Sequence, residues 1–213
     1  MSQLRIFSMA LLFTAFFVAG CSKGTTSQTA THVPDYALTC VGVLPASLAP
    51  RYDDVIDTVE KKQLENGLLT LDALLAQQFG GRPDIRLVNR SQLSGMDGTL
   101  ATDALARARV VADKVSCNAV LETSLKRFRD RIGGEYTAKE PASVAFDFRL
   151  IAVPDGRILC SGSFDEVQKS VMENLYNLKS ATKRGFTWIT AEELMREGLA
   201  DRLKECPYLA PGE

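Results

Sequence analysis

Few side chains in this sequence can do covalent or acid–base chemistry. Among its 213 residues there are five cysteines and a single histidine, His32. A nucleophile–histidine–acid triad or a histidine-based metal site would need partners that the Thr- and Ala-rich segment around His32 does not offer. The sequence also lacks GxSxG, Walker A, GxGxxG and HExxH motifs. It therefore predicts a protein that is not an enzyme and that needs no cofactor and no metal.

Cys21 is the cysteine with the clearest chemical role. Residues 1–20 carry Arg5 and then a nearly unbroken apolar run, which is typical of a secretory signal peptide and short for a membrane span. The run ends in Val18-Ala19-Gly20-Cys21, which resembles a bacterial lipobox. We therefore expect residues 1–20 to be a lipoprotein signal peptide and Cys21 to carry acyl chains that anchor the protein in a membrane. A plain signal peptide that happens to end near a cysteine is the alternative.

The residues after Cys21 predict location and domain organisation. Ser22 follows the cysteine, and by resemblance to Gram-negative lipoprotein sorting this favours the outer membrane. Residues 21–35 are predicted to be the lipidated cysteine and a flexible polar tether, 36–206 a single α/β domain, and 207–213 a C-terminal tail. The chain has 25 Lys and Arg against 26 Asp and Glu. This balance argues against nucleic acid as a partner.

The apolar pattern of the domain alternates between strand and helix spacing. Short apolar runs predict strands at residues 37–46, 85–89, 118–128, 143–153 and 157–164. Helical spacing predicts helices at about residues 54–79 and 101–114, and a capping box opens another at residue 190. Asn66-Gly67 is a place where the first helix could bend. The order β-α-β-α-β-β-β-α predicts an α/β fold with a single mixed sheet, mainly parallel and then antiparallel, of about five strands and about three helices.

Two sets of side chains are candidates for binding a partner. The first is a basic run at the end of the third strand, made of Lys126, Arg127, Arg129 and Arg131. It would bind an acidic or phosphate-bearing partner, and a solvated strand end that discourages edge pairing is the alternative. The second is a set of aromatic residues in the long connection before the last helix, made of Tyr176, Phe186 and Trp188. Packing of these aromatic residues beneath the connection as a satellite core is the alternative.

Cysteines other than Cys21 predict a disulfide in the exported domain. If the strands are arranged as above, Cys40, Cys117, Cys160 and Cys206 all lie near one edge of the sheet. Cys117 and Cys206 fall in connections, where the backbone can meet the ~5.5–6 Å Cα spacing that a disulfide requires. We therefore predict a Cys117–Cys206 disulfide. Cys40 and Cys160 fall within strands, and their pairing stays open, with buried free thiols as an alternative.

Four stretches of the domain carry a family resemblance. They are VGVLP, LVNRSQL, NAVLETSL and the hairpin FDFRLIAVPDGRILCSG. Together they resemble the small α/β domain shared by the curli-secretion lipoprotein, the lipoprotein activator of penicillin-binding proteins and the N-terminal domain of TolB. That domain is similar in fold to anticodon-binding domains of some tRNA synthetases. The resemblance makes Arg90 and Asp155-Gly156 fold positions, and it brings no catalytic residue with it.

These observations lead to one functional expectation. We expect an outer-membrane-anchored lipoprotein whose domain faces the periplasm, or alternatively the cell surface, and acts as a non-enzymatic binding or scaffold module. Its partners would be the membrane, through the N-terminal lipid, and an envelope protein or peptidoglycan. A subunit of an envelope secretion or export assembly is the first alternative, and an envelope glycan-acting enzyme is the second. The sequence does not assign an oligomeric state.

Overall fold

The computed structural model describes residues 36–50, 57–95, 104–169 and 187–210. The strands of the domain are β1 (Val41–Val43), β2 (Ser47–Leu48), β3 (Ile85–Leu87), β4 (Ala119–Arg129), β5 (Ile132–Gly133), β6 (Ala138–Glu140), β7 (Ser143–Ala152) and β8 (Ile158–Val167). The helices are α1 (Thr58–Phe79), α2 (Arg90–Ser94), α3 (Ala104–Val115) and α4 (Ala191–Lys204). No helix of the described ranges is long and apolar enough to span a bilayer.

One mixed sheet organises the domain. Its strand order is β3-β1-β4-β7-β8, and β2 pairs with β4 beyond the end of β1. The strands β1, β2, β3 and β4 pair in parallel, whereas β4, β7 and β8 pair antiparallel. The predicted α/β fold with a mainly parallel and then antiparallel sheet is confirmed. The sequence pattern missed the two-residue strand β2 and the small β5–β6 hairpin, because such short strands carry no periodicity.

The helices begin where the sequence supplies caps. Asp57 accepts a hydrogen bond from the Glu60 amide at the start of α1, and Asn89 forms a capping box at α2. The predicted capping box at α4 is confirmed, since the Thr190 hydroxyl accepts from the Glu193 amide and the Glu193 carboxylate accepts from the Thr190 amide. These bonds satisfy amides that have no partner within their own helix.

The two faces of the sheet are covered unequally. On the first face, α1 packs against β4, and α4 packs against β7 and β8. The main core lies there and includes Leu71, Leu121, Phe146 and Leu194. On the second face, α3 packs against β1 and β4 and covers a smaller core around Val111, Val120 and Ile151. Further along β4, β7 and β8 this second face carries polar and charged side chains.

The disulfides differ from the predicted pairing. Cys40 bonds to Cys117 and Cys160 bonds to Cys206, with Cα–Cα distances of 4.6 and 5.7 Å. The Cys117–Cys206 prediction is therefore wrong. The reason lies in the strand order: β1 and β4 are adjacent, so the residues that precede them are adjacent too. Cys206 follows α4, which packs over β7 and β8, and this brings it to Cys160 on β8.

Candidate functional site

A groove of about 380 Å³ opens beside the middle of β4. We call it the β4 groove. One wall is the segment that carries β2, together with α2, and it is mainly apolar: Leu44, Pro45, Leu48, Pro50 and Leu93 line it, with Ser47 among them. The opposite side is charged and polar, consisting of Arg107, Glu122, Ser124 and Arg149. Its volume lies within the range of small-ligand pockets, near the lower end.

Strand register and α3 bring the charged side chains of the groove together. Glu122 on β4 is directly opposite Arg149 on β7, and side chains of directly opposed residues lie on the same face of a sheet. Arg107 lies on α3, which packs over the parallel part of that face. Three residues from three elements therefore meet, although 42 positions separate Arg107 from Arg149 in the chain.

The contacts within this trio are short and divided between the two carboxylate oxygens. Arg149 donates to Glu122 Oε2 through Nε at 2.9 Å, and its Nη2 lies 2.8 Å from the same oxygen. Arg107 donates to Glu122 Oε1 through Nη2 at 3.2 Å. A buried carboxylate needs such partners, because an unpaired charge inside a protein carries a large desolvation cost. Glu122 is only 7% exposed, so the arginines hold its charge in place.

The trio has a formal charge of +1, and its positive members face solvent. The side chains of Arg107 and Arg149 are 34% and 45% exposed, whereas that of Glu122 is 9% exposed. A guanidinium has five N–H donors in a planar fork, more than the bonds to Glu122 use. The arrangement therefore presents hydrogen-bond donors and an excess positive charge to whatever enters the β4 groove. This chemistry suits binding of an anion.

The predicted basic run is not a single exposed cationic face. Arg127 donates to the Ser143 hydroxyl, and its Nη2 lies 2.5 Å from Asp165 Oδ1. Arg129 Nη2 is 3.9 Å from Glu60 Oε1, and Arg131 donates to the Trp188 carbonyl oxygen. Lys126 Nζ is 2.5 Å from Asp147 Oδ2. Each of these cations thus has an acidic or carbonyl partner, and a binding role for them stays a prediction.

Two residues of the aromatic set, Tyr176 and Phe186, lie outside the described residues, and so does the lipidation residue Cys21. Trp188 is described and half-buried. Its amide donates to the Glu135 carbonyl oxygen at 2.7 Å. Gln168 holds the residues on both sides of Trp188, through the Thr187 carbonyl and the Ile189 amide, each at 3.0 Å. The backbone around Trp188 is therefore fixed to the end of β8 and to the β5–β6 hairpin.

The sequence carries one signal for the β4 groove, which is charge placed next to apolar strand residues. Glu122 directly follows the apolar run Ala119-Val120-Leu121, and Arg149 lies between Phe148 and Leu150. A charged residue inside a strand with apolar neighbours requires an opposite charge close by. Only the pairing register of β4 with β7 shows that these two residues are partners. Among the residues described here, no group of three His, Cys, Asp or Glu side chains is placed to hold a metal ion.

Several solved protein structures are similar to the structure of this chain. No protein-family model matches the sequence, and no curated protein sequence matches it. The PelC dodecamer from Paraburkholderia phytofirmans is similar with a TM-score of 0.44 and 16% identity, over 82% of this chain and 89% of that one. For the LpoB C-terminal domain from Salmonella enterica the TM-score is 0.36 and the identity 17%, over 63% and 87% of the two chains. The lipoprotein GNA1162 from Neisseria meningitidis is similar with a TM-score of 0.38 and 17% identity, over 68% of this chain and 93% of that one.

The similar structures thus include a lipoprotein and the LpoB C-terminal domain. The likeness is one of fold.

Proposed function

We propose that this protein is a lipid-anchored binding module of the bacterial outer membrane, without enzymatic activity. The observation that carries the proposal is the pairing of all four domain cysteines in two disulfides, in a chain that begins with a signal-peptide pattern and the VAGC lipobox. Structural disulfides persist in oxidising compartments such as the periplasm and are rare in the cytosol. The disulfides and the lipobox therefore support the same destination for the domain.

The polar segment between Cys21 and the domain supports a tethering role. Residues 22–34, SKGTTSQTATHVP, lie outside the described residues. We propose that they act as the tether expected from their composition, which would have a root-mean-square reach of ~20 Å. An anchor with so short a reach confines the domain and its partner to one thin layer. The effective concentration of the partner then becomes high, so a weak contact is sufficient for binding.

The β4 groove is the surface that we assign to this contact. It combines an apolar wall with a pair of arginines that a buried Glu122 holds in place. Fixed charged donors beside apolar surface give a site both affinity and orientation. The proposed activity is thus recruitment of another envelope component.

Substitution of Cys21 tests the anchoring. Wild type and Cys21→Ser would be expressed in a Gram-negative host with a clickable fatty acid and then fractionated. We expect label on wild type in the outer-membrane fraction, and an unlabelled precursor or soluble species for Cys21→Ser. Ser22→Asp is the matched control, because it keeps the acylated cysteine but should move the labelled protein to the inner membrane. Equal labelling of wild type and Cys21→Ser would refute the proposal.

A further inference from the structure

We infer that the β4 groove binds a peptide segment of a partner protein in which a carboxylate lies next to an apolar side chain. This inference rests on the proposed binding function and names the chemistry of the partner. The carboxylate would bind to the guanidinium groups of Arg107 and Arg149. The apolar side chain would pack against the wall that contains Leu48 and Leu93.

Charge complementarity is the first reason for an anionic ligand. The two guanidiniums approach one buried carboxylate, Glu122, from different elements, which leaves one positive charge in excess. The neighbouring pair on the same face, Lys126 and Asp147, is neutral in sum. No acid among the residues that line the groove, other than Glu122, offsets the excess. An incoming carboxylate would make the whole assembly neutral, and arginine forks bind carboxylates with good geometry.

The apolar wall is the reason for preferring a peptide to a free anion. Leu48 is 44% exposed, and Pro45, Pro50 and Leu93 line the same groove, whereas Leu44 is buried. An inorganic anion or a phosphate headgroup would leave this surface in contact with water. An apolar side chain next to the carboxylate would cover it and gain the corresponding burial free energy. A volume of about 380 Å³ is suited to one or two residues.

Glu122 makes the inference testable in two opposite directions. It positions the guanidiniums, but its own charge competes with an incoming carboxylate for them. Arg149→Gln removes one donor fork and should weaken binding. Glu122→Gln keeps the size of the side chain and raises the formal charge of the trio from +1 to +2, so it should strengthen binding. A purely structural role for the trio would make both substitutions harmful.

The experiment uses the chain from residue 22 to 213 with both disulfides formed, which contains the whole of the compact unit Val33–Glu213. The side-chain Nε–Hε NMR signals of Arg107 and Arg149 are followed during titration with N-acetyl-Leu-Glu-amide. Its matched controls are N-acetyl-Leu-Gln-amide, which lacks the carboxylate, and N-acetyl-Gly-Glu-amide, which lacks the apolar side chain. Inorganic phosphate and vesicles of anionic phospholipid are titrated in parallel.

We expect saturable shifts with N-acetyl-Leu-Glu-amide, with a dissociation constant of about 1 mM, and at least several-fold weaker binding of both control peptides. Arg149→Gln should lose about tenfold in affinity, the equivalent of one charge-assisted hydrogen bond. Glu122→Gln should gain affinity. Arg86→Gln is the matched control, because Arg86 is an exposed arginine on β3 outside the groove, and it should bind like wild type.

Three outcomes would overturn the inference: no saturable shift with N-acetyl-Leu-Glu-amide, equal binding of N-acetyl-Leu-Gln-amide, or tighter binding of phosphate or vesicles than of the peptide. A loss of affinity in both Arg149→Gln and Glu122→Gln, with unchanged backbone spectra, would also overturn it. None of these results depends on lipidation. Failure here therefore differs from failure of the Cys21→Ser experiment, which tests anchoring alone.

Discussion

Gly67 in α1 lies so close to Phe128 in β4 that the helix has no room for a side chain at this position. A Cβ atom on Gly67 would be 2.6 Å from both Cβ and Cγ of Phe128, and 2.8 Å from Leu125 Cδ2. Carbon atoms prefer separations of about 3.5–4.0 Å. The glycine therefore sets the distance between α1 and the sheet, and α1 continues through it without interruption.

The first prediction is that Gly67→Ala destabilises the protein. Alanine favours a helix interior by about 1 kcal/mol over glycine, but overlap with the backbone-near atoms of Phe128 forces α1 away from β4. Overpacking of this kind costs about 1–3 kcal/mol, so we expect a net loss in the free energy of unfolding, measured with urea and intact disulfides. Gly95→Ala is the control, because its Cβ would lie 3.5 Å from the Gln92 carbonyl oxygen, an ordinary contact, at a φ of -65°. A Gly67→Ala variant as stable as wild type would contradict the close approach.

Much of this fold follows from the sequence because its signals are local. The periodicity of α1, the capping box at Thr190 and the alternation along β7 each depend on residues a few positions apart. The role of Gly67 does not follow from local signals. In the sequence alone, a glycine inside a helical pattern indicates a bend, because its neighbour on β4 is not visible there. Tertiary contact with Phe128 converts that local weakness into a packing requirement.

The candidate site was less predictable for the same reason. Glu122 is recognisable as a charge that directly follows the apolar run Ala119-Val120-Leu121, but its partners come from α3 and β7. The bulge between Leu125 and Arg127 also shifts the register of β4, and a shift by one residue moves a side chain to the other face. The face that each arginine of the basic run occupies therefore depends on a detail that alternation alone does not encode.

The second prediction concerns the disulfides. Peptide mapping without reduction should recover Cys40 joined to Cys117 and Cys160 joined to Cys206. Replacing Cys160 and Cys206 together by serine should lower the free energy of unfolding by about 2–4 kcal/mol, because the bond restricts the unfolded chain. Amide hydrogen exchange should also become faster in the residues that follow α4. A recovered peptide that joins Cys117 to Cys206 would contradict the neighbouring positions of β1 and β4.

The third prediction is that the free energy of unfolding depends on pH through Asp84. Arg82 bonds to Asp84, with Nη2 2.6 Å from Oδ2, and donates to the Leu209 carbonyl oxygen at 2.8 Å. The hydrogen bond from Arg82 lowers the pKa of Asp84 below the ordinary 3.8. A carboxyl with a lowered pKa stabilises the folded state above its unfolded pKa, and the contribution disappears as the pH falls through the folded pKa.

Asp84→Asn tests this directly. The variant should be less stable than wild type at pH 7, and the difference should narrow as the pH falls below 3.8. The effect should be small, because the Asp84 side chain is 39% exposed and solvent weakens the ion pair. Urea unfolding at several pH values measures it. A difference that stays constant down to acid pH would show that the charge of Asp84 is not involved.

The fourth prediction concerns a buried hydroxyl. Thr123 on β4 is 1% exposed, and its Oγ1 has no hydrogen-bond partner in the described structure. It lies opposite Phe148 of β7, between Leu121 and Leu125 on the face of β4 that covers the main core. A buried hydroxyl without a partner costs about 1–3 kcal/mol of desolvation free energy. Thr123→Val replaces this group by a methyl of similar size and keeps the β-branched shape that strands favour.

We therefore expect Thr123→Val to raise the free energy of unfolding by about 1 kcal/mol. Thr123→Ala should lower it instead, because it removes the methyl group as well and leaves a cavity. Thr190→Val is the matched contrast, since the Thr190 hydroxyl accepts from the Glu193 amide at 3.2 Å, and loss of this cap costs about 1 kcal/mol. If Thr123→Val raises the free energy of unfolding and Thr190→Val lowers it, the effect of a threonine hydroxyl depends on whether it has a hydrogen-bond partner. A destabilised Thr123→Val would mean that its hydroxyl is hydrogen-bonded in solution.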